Sequence, residues 1–334
     1  MKGVLVTHAD SPLGSRVALA LARHAGASQL LLVGSGPRPP RLERQLGPAA
    51  VRSTWVEARL SRHRSAAELF HSDAFRQAEV EAVVHVPAHG VGSAAPGPAG
   101  VPARTTEARI VLQHCRETPS VRRLVALGSA YVYKLIPGNA NRLTEQHELD
   151  LDSDVPQNVR TWIDCDMMFR DEASANRLRV TLLRVPTVIS SDGGLHLSPV
   201  LEGSGGFRVR PAGFDPLCAV VAEGDVAEAV TAALRSRSRG AFNVSGEECV
   251  PLSCLERWTG RSALPVPGPL LRAAETALGW AVPGAAALDA PYLRYGFSLD
   301  THRAEAELDF QPRYRIGLSA SGEGVVHLEE GTLV

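Results

Sequence analysis

The chain has 334 residues, enough to bury the core of one large α/β domain or of a large domain with a smaller lobe. Hydrophobic residues at 44% and charged residues at 21% are ordinary for a globular protein and exclude wholesale disorder. A formal net charge of -1 supplies no general pull toward nucleic acid or an anionic membrane, so neither is expected as a partner.

Taken in chain order, the first apolar run, Val4-Leu5-Val6, leads into an amphipathic segment over 12–25. Leu13, Val17 and Leu21 recur there at i, i+4, i+8, and Gly26 is placed to end the helix. Asp10-Ser11-Pro12 reads as its start, with Ser or Asp as the cap and Pro at the first helical position. Leu30-Leu31-Leu32-Val33 follows, then a helix over 64–79, the run Val83-Val84-His85-Val86, a helix over 104–117, and Leu124-Val125-Ala126-Leu127. Strands that are apolar throughout, alternating with helices, predict a parallel sheet covered on both faces: an α/β, Rossmann-type doubly wound fold.

The stretch 87–102, P-A-H-G-V-G-S-A-A-P-G-P-A-G-V-P, follows the C-terminal end of a strand, where such sheets place their ligands, yet its composition is that of a spacer loop. After the strand Val180-Thr181-Leu182-Leu183 the pattern loosens. A helix opening at Asp225 leads to Ala241-Phe242-Asn243-Val244, which reads as a strand returning to the sheet. This divides the chain into a Rossmann-type domain over 1–185, rejoined by 224–246, and a smaller C-terminal lobe from 186–223 and 247–334. A helix over 269–280 is expected to pack on that lobe. Met1 runs directly toward a strand with no readable secretory signal, and no apolar run approaches the ~18 residues of a membrane span, so a cytoplasmic protein is expected. The five cysteines are scattered and odd in number; they predict free thiols in a reducing compartment and no metal site.

Several segments, weak singly, are specific in this order and at these separations: V-L-V-T with Gly14, V-V-H-V-P-A at 83–88, S-V-R-R-L-V-A-L-G-S-A-Y-V-Y at 120–133, L-L-R-V-P-T-V-I at 182–189, G-D-V-A-E-A-V at 224–230, F-N-V-S-G at 242–246 and L-D-F-Q-P-R-Y at 308–314. In them the chain resembles the extended short-chain dehydrogenase/reductase family, in its NAD-dependent epimerase/dehydratase branch, which includes the UDP-glucose 4-epimerases. The resemblance implies NAD or NADP as cofactor, with Thr7, Ser11, Leu13, Gly14, Ser35, Arg38 and Val86 at cofactor-contacting positions. It also implies a nucleotide-sugar substrate and a homodimer formed through two helices, here 104–117 and 158–175.

The sequence departs from that pattern where the family does its work. The family's three glycines admit a tight turn, a close pyrophosphate and close helix packing; here they correspond to His8, Ser11 and Gly14, so only the packing glycine survives. Asp10, if ~4 to 5 Å from a pyrophosphate charge, would repel it by roughly 3 to 4 kcal/mol at an effective dielectric of ~20. The second strand ends in Gly34 without the acid that takes the ribose diol; Ser35 and Arg38 offer a place for a 2′-phosphate instead, which would select NADP. Family chemistry uses a Tyr activated by a Lys four residues later, with an assisting Ser or Thr. Ser129 matches the assistant, but the pair falls on Asn158 and Trp162, or one turn on, Trp162 and Asp166. No tyrosine lies between Tyr133 and Tyr292, and Lys2 and Lys134 are the only lysines among 35 basic residues.

The leading expectation is a catalytically degenerate member of the family, with NAD or NADP binding weakened or lost, acting as a pseudoenzyme that binds a small-molecule or nucleotide ligand or a protein partner. The competing expectation is an active NAD(P)-dependent epimerase or reductase on a nucleotide sugar, with Tyr131 or Asp166 as a non-standard proton donor. A third is a scaffold that binds no nucleotide.

Overall fold

The computed structural model describes residues 2–24, 27–88, 103–153, 155–175, 177–190, 195–196, 207–258, 262–267, 270, 295–318 and 326–330. Seven parallel strands make the main sheet: β1 (Gly3–Val6), β2 (Gln29–Gly34), β3 (Ser53–Glu57), β4 (Val80–His85), β5 (Arg123–Ser129), β7 (Arg179–Val185) and β12 (Gly240–Asn243). Their order is β12-β7-β5-β4-β1-β2-β3. The order reverses between β1 and β4, and open α/β sheets hold ligands in the crevice outside the strand ends at that point.

Strand periodicity sorts the side chains into two cores. Val4 and Val6 face a layer containing Leu13 and Val17 of α1 (Pro12–His24) and Val226 and Val230 of α7 (Glu223–Arg235). Leu5 faces the opposite layer, with Ile110 of α5 (Ala103–Glu117) and Phe169 of α6 (Gln157–Ser174). Burial on both faces is why these strands read as unbroken apolar runs.

The structure differs from the sequence reading in places. The helix expected over 64–79 is two, α3 (His63–Phe70) and α4 (Asp73–Gln77). Ser72 separates them: its hydroxyl donates to the Leu69 carbonyl at 2.7 Å and accepts from the Phe75 amide at 3.1 Å, capping the new helix. Strand β3 escaped prediction because it is an edge strand of mixed burial with no apolar run. Ala241 to Asn243 do return to the main sheet, paired in parallel with β7.

Beyond β7 lies a four-stranded sheet, β13-β11-β8-β9, from β8 (Thr187–Ile189), β9 (Leu195–His196), β11 (Leu217–Ala222) and β13 (Cys249–Pro251). Shorter elements complete the described chain: α2 (Pro40–Leu46), β6 (Arg142–Leu143), β10 (Phe207–Pro211), α8 (Leu252–Trp258), β14 (Ser262–Val266), β15 (Ser298–Leu299), α9 (His302–Leu308), β16 (Tyr314–Leu318) and β17 (Val326–Glu330). Most of the Pro/Gly stretch 87–102 and of the helix expected over 269–280 lies outside the described residues. No described helix is long and apolar enough to cross a membrane.

Candidate functional site

The turn from β1 into α1 sits at the reversal point. His8 adopts φ 47°, a left-handed backbone that glycine would enter without strain. Ser11 then closes the turn on itself: its hydroxyl donates to the His8 carbonyl at 2.8 Å and accepts from the Gly14 amide at 3.0 Å. This is the N-cap expected for the helix, with Pro12 as its first residue. Gly14 has no room for a side chain, since an added Cβ would lie 2.0 Å from the His8 carbonyl oxygen. Leu13 is wholly buried in the core beneath. Asp10 turns toward the end of β2, where its Oδ2 accepts from both the amide and the hydroxyl of Ser35 at 2.8 Å. Arg38 donates to the Ser53 hydroxyl at 2.7 Å, and its Nε is buried without a hydrogen-bond partner.

Behind the turn lies a buried polar row. The Thr7 hydroxyl accepts from the Val86 amide and donates to the Val86 carbonyl, both at 2.9 Å, tying β1 to β4. His85 Nδ1 is 3.3 Å from that hydroxyl and 4.0 Å from the buried Glu107 carboxylate. His8 Nε2 reaches the same carboxylate at 2.6 Å. Burial opposes a charged His8, but the charge and hydrogen bond of Glu107 outweigh it, so its pKa rises above the ordinary value. Burial dominates at His85 and lowers its pKa to about 4, so that ring is neutral. On the next turn of α5, Arg104 is buried, donating to the Ala88 carbonyl at 3.3 Å and to the Thr161 hydroxyl at 3.0 Å. Its guanidinium carbon lies 3.9 Å from the centre of the Trp162 ring, the position common to both registers in which the family's Tyr and Lys were sought.

The remaining site candidates lie in another buried network. Ser129 is fully buried and accepts from the Tyr131 amide at 3.2 Å. Tyr131 and Thr187 share a hydroxyl–hydroxyl hydrogen bond of 2.8 Å. Asp166 receives both forks of Arg184, at 2.7 and 2.8 Å, with the two side chains 1% and 0% exposed. Arg184 also donates to the Tyr133 hydroxyl at 2.9 Å and to the Glu145 carbonyl at 3.2 Å. The Tyr133 hydroxyl in turn donates a hydrogen bond to Asn243 Oδ1 at 2.5 Å, and burial pushes its pKa up to about 12. The sequence reading missed Glu107, Arg104 and Thr161: their partners lie 99, 16 and 3 or more positions away, and only helical packing joins them.

Among the described residues, three surface cavities stand outside this row. The largest, about 740 Å³, is lined by Arg142, Ser245, Glu247, Cys249, Thr301 and Glu305. One of about 200 Å³ lies between α1 and α2 beside Asp10 and Arg16. Another, of about 500 Å³, is lined by Lys134, Leu151, Met167 and Arg170.

No family model matches the sequence. An uncharacterised protein of Mycobacterium tuberculosis is 26% identical over 332 aligned positions, covering 94% of this chain and 81% of that protein. Among solved structures, a UDP-glucose 4-epimerase of Stenotrophomonas maltophila, with bound NAD and formylated UDP-arabinopyranose, superposes with a TM-score of 0.66 at 17% identity over 94% of each chain. A UDP-glucose 4-epimerase of Bifidobacterium longum in complex with NAD+ and UDP gives 0.65 at 14% identity over 93% of each. A dTDP-glucose 4,6-dehydratase of Bacillus anthracis in complex with NAD gives 0.64 at 12% identity, over 94% of this chain and 92% of that one. The seven-stranded sheet, its flanking helices and these superpositions give the chain the fold of the NAD-dependent epimerases and dehydratases, the extended short-chain dehydrogenase/reductase fold.

Proposed function

We propose that this protein is a catalytically degenerate member of the epimerase/dehydratase family, in which side chains have taken over the dinucleotide cleft and the remaining role is to bind a ligand or a protein partner. The single observation that carries the reading is the closed turn: the Gly14 amide at the start of α1, a donor a pyrophosphate would need, is already satisfied by the Ser11 hydroxyl at 3.0 Å. Asp10 adds a carboxylate anchored beside it, and Glu107 fixes His8 across the turn. The chain's residues do not fit a dinucleotide in the family's manner.

The proton chemistry points the same way. Tyr131 is engaged with Thr187, and Asp166 is neutralised by Arg184. No lysine follows Lys134, and at Tyr133 burial outweighs the neighbouring Arg184, so that phenol's pKa is pushed up to about 12 rather than down. The cavity of about 740 Å³, with an arginine and two glutamates at its wall, is of the size that holds a small polar ligand. Pairing of α5 and α6 with those of a second copy is part of this proposal, as is residence in the cytoplasm.

Titration of purified protein with NAD, NADH, NADP and NADPH by calorimetry tests the reading. Expected is no binding tighter than about millimolar, and no hydride exchange with UDP-glucose. Micromolar binding accompanied by turnover refutes it.

A further inference from the structure

At the opposite end of the main sheet, where its strands begin, arginines collect. Strands β5, β7 and β12 are consecutive neighbours. The first two begin on Arg123 and Arg179, which stand opposite one another in the register, and the third follows directly on Arg239. Neighbouring strands lie ~4.8 Å apart, so two guanidinium groups start from almost the same point. The Arg179 amide donates to the Arg122 carbonyl at 3.0 Å. The end of α7 delivers R-S-R-S-R, residues 235–239, to the same place: Arg123 donates to the Leu234 carbonyl, and the Thr181 hydroxyl to the Ser238 carbonyl at 3.0 Å.

Arg123 and Arg179 are half-buried, whereas Arg122, Arg235, Arg237 and Arg239 are exposed around them. Glu307, beside Ser238, is held by Arg303 at 2.9 Å. Among the described residues Arg122, Arg179 and Arg237 form no ion pair with a carboxylate, and Arg179 Nε is buried without a hydrogen-bond partner. Partial burial and the charges of Arg123, Arg239 and Arg237 hold the Arg179 guanidinium below its ordinary pKa. The C-terminus of α7 offsets only about half a charge. In a chain of net charge -1, Arg122, Arg123, Arg179 and Arg237 form a local cationic patch at this end of the sheet.

We propose that this patch binds a small multivalent phosphate anion, a di- or triphosphate group, with the half-buried Arg123 and Arg179 as its floor and the exposed Arg122 and Arg237 at its rim. Guanidinium forks match phosphate oxygens two at a time. A half-buried floor inside an exposed rim suits a compact ion better than a duplex or an extended acidic peptide. The site lies at the far ends of the strands from the cleft and stands whether or not that cleft takes a dinucleotide.

Calorimetric titration with inorganic tripolyphosphate at about 50 mM salt tests it, with adenosine triphosphate as a second arm. Saturable binding of about one ion per chain, weakening as salt rises, is expected. Charge reversal at the exposed rim, Arg122→Glu or Arg237→Glu, leaves the fold intact and lowers affinity about tenfold each. Arg62→Glu, a reversal at an exposed arginine elsewhere, leaves it unchanged. Equal affinity for both probes assigns recognition to the phosphates alone; tighter nucleotide binding adds contacts to the nucleoside. Absence of saturable binding, affinity unmoved by both rim reversals, or preference for an RNA duplex or acidic peptide that tripolyphosphate fails to displace overturns the proposal.

Discussion

Replacing Asp166 by asparagine separates a structural carboxylate from a proton donor. Arg184 is 0% exposed and gives Asp166 both forks, so the variant leaves a buried guanidinium without its counter-charge, one fork facing an amide NH2 and the remaining acceptors being the asparagine carbonyl, the Tyr133 hydroxyl and the Glu145 carbonyl. At 2.7 Å and an effective dielectric of ~20, the lost attraction is about 6 kcal/mol. Relief of carboxylate desolvation returns part of that, and breaking a buried pair from one side costs about 3 to 5 kcal/mol. Since whole domains are stable by roughly 5 to 15 kcal/mol, the loss is measurable by urea unfolding monitored by tryptophan fluorescence. Asp166→Leu combined with Arg184→Met removes both charges, and should recover at least half of what the single changes lose. If Asp166→Asn unfolds within about 1 kcal/mol of the wild type, the pair is not holding these elements together and the carboxylate is available for another role.

Three further outcomes follow from the geometry. Gly14→Ala places a Cβ 2.0 Å from the His8 carbonyl oxygen and should cost about 3 kcal/mol or more, read as a fall in the melting temperature. The folded-state pKa of His8 is raised, so its contribution to stability is complete below its unfolded value near 6.5 and disappears as pH rises through the folded value. His8→Gln should therefore narrow its melting-temperature gap to the wild type on going from pH 6 to pH 9; a constant gap contradicts the ion pair. Asp225 behaves oppositely: burial lifts its pKa from 3.8 to about 6, so the folded state binds protons more tightly and gains stability as pH falls between those values. Asp225→Asn should flatten that part of the stability profile, and an unchanged slope assigns it elsewhere.

The sheet was legible in the sequence because each strand of its interior is buried on both faces and therefore carries a run of three or more consecutive apolar residues or nearly so, such as Leu30 to Val33 and Leu124 to Leu127. Strand β3, of mixed burial, left no such run, and the break at Ser72 was hidden because residues 64–79 contain no glycine or proline to mark it. At the cleft, substitution of the glycines by His8 and Ser11 was readable, and so was the cap that Ser11 forms. What the substitutions lean on was not: Glu107 reaches His8 from another helix, and Arg104 stacks on Trp162 from across α6. Buried charges of this kind follow no period; each is justified only by a partner brought close by the finished fold. Asp166, a candidate proton donor by position, points inward to an arginine on β7.

Strand β12 gives the polypeptide an order of completion. Its pairing edge on β7 ends at Val185, whereas the residues that cover that edge begin at Gly240, roughly 55 positions later. At ~5 to 20 residues per second on the ribosome, the nascent protein exposes an unpaired, largely apolar parallel edge for about 3 to 11 s. Any fragment that stops short of Phe242 keeps that edge open for good, so the first half of the protein is a poor unit for separate expression and a ready template for aggregation.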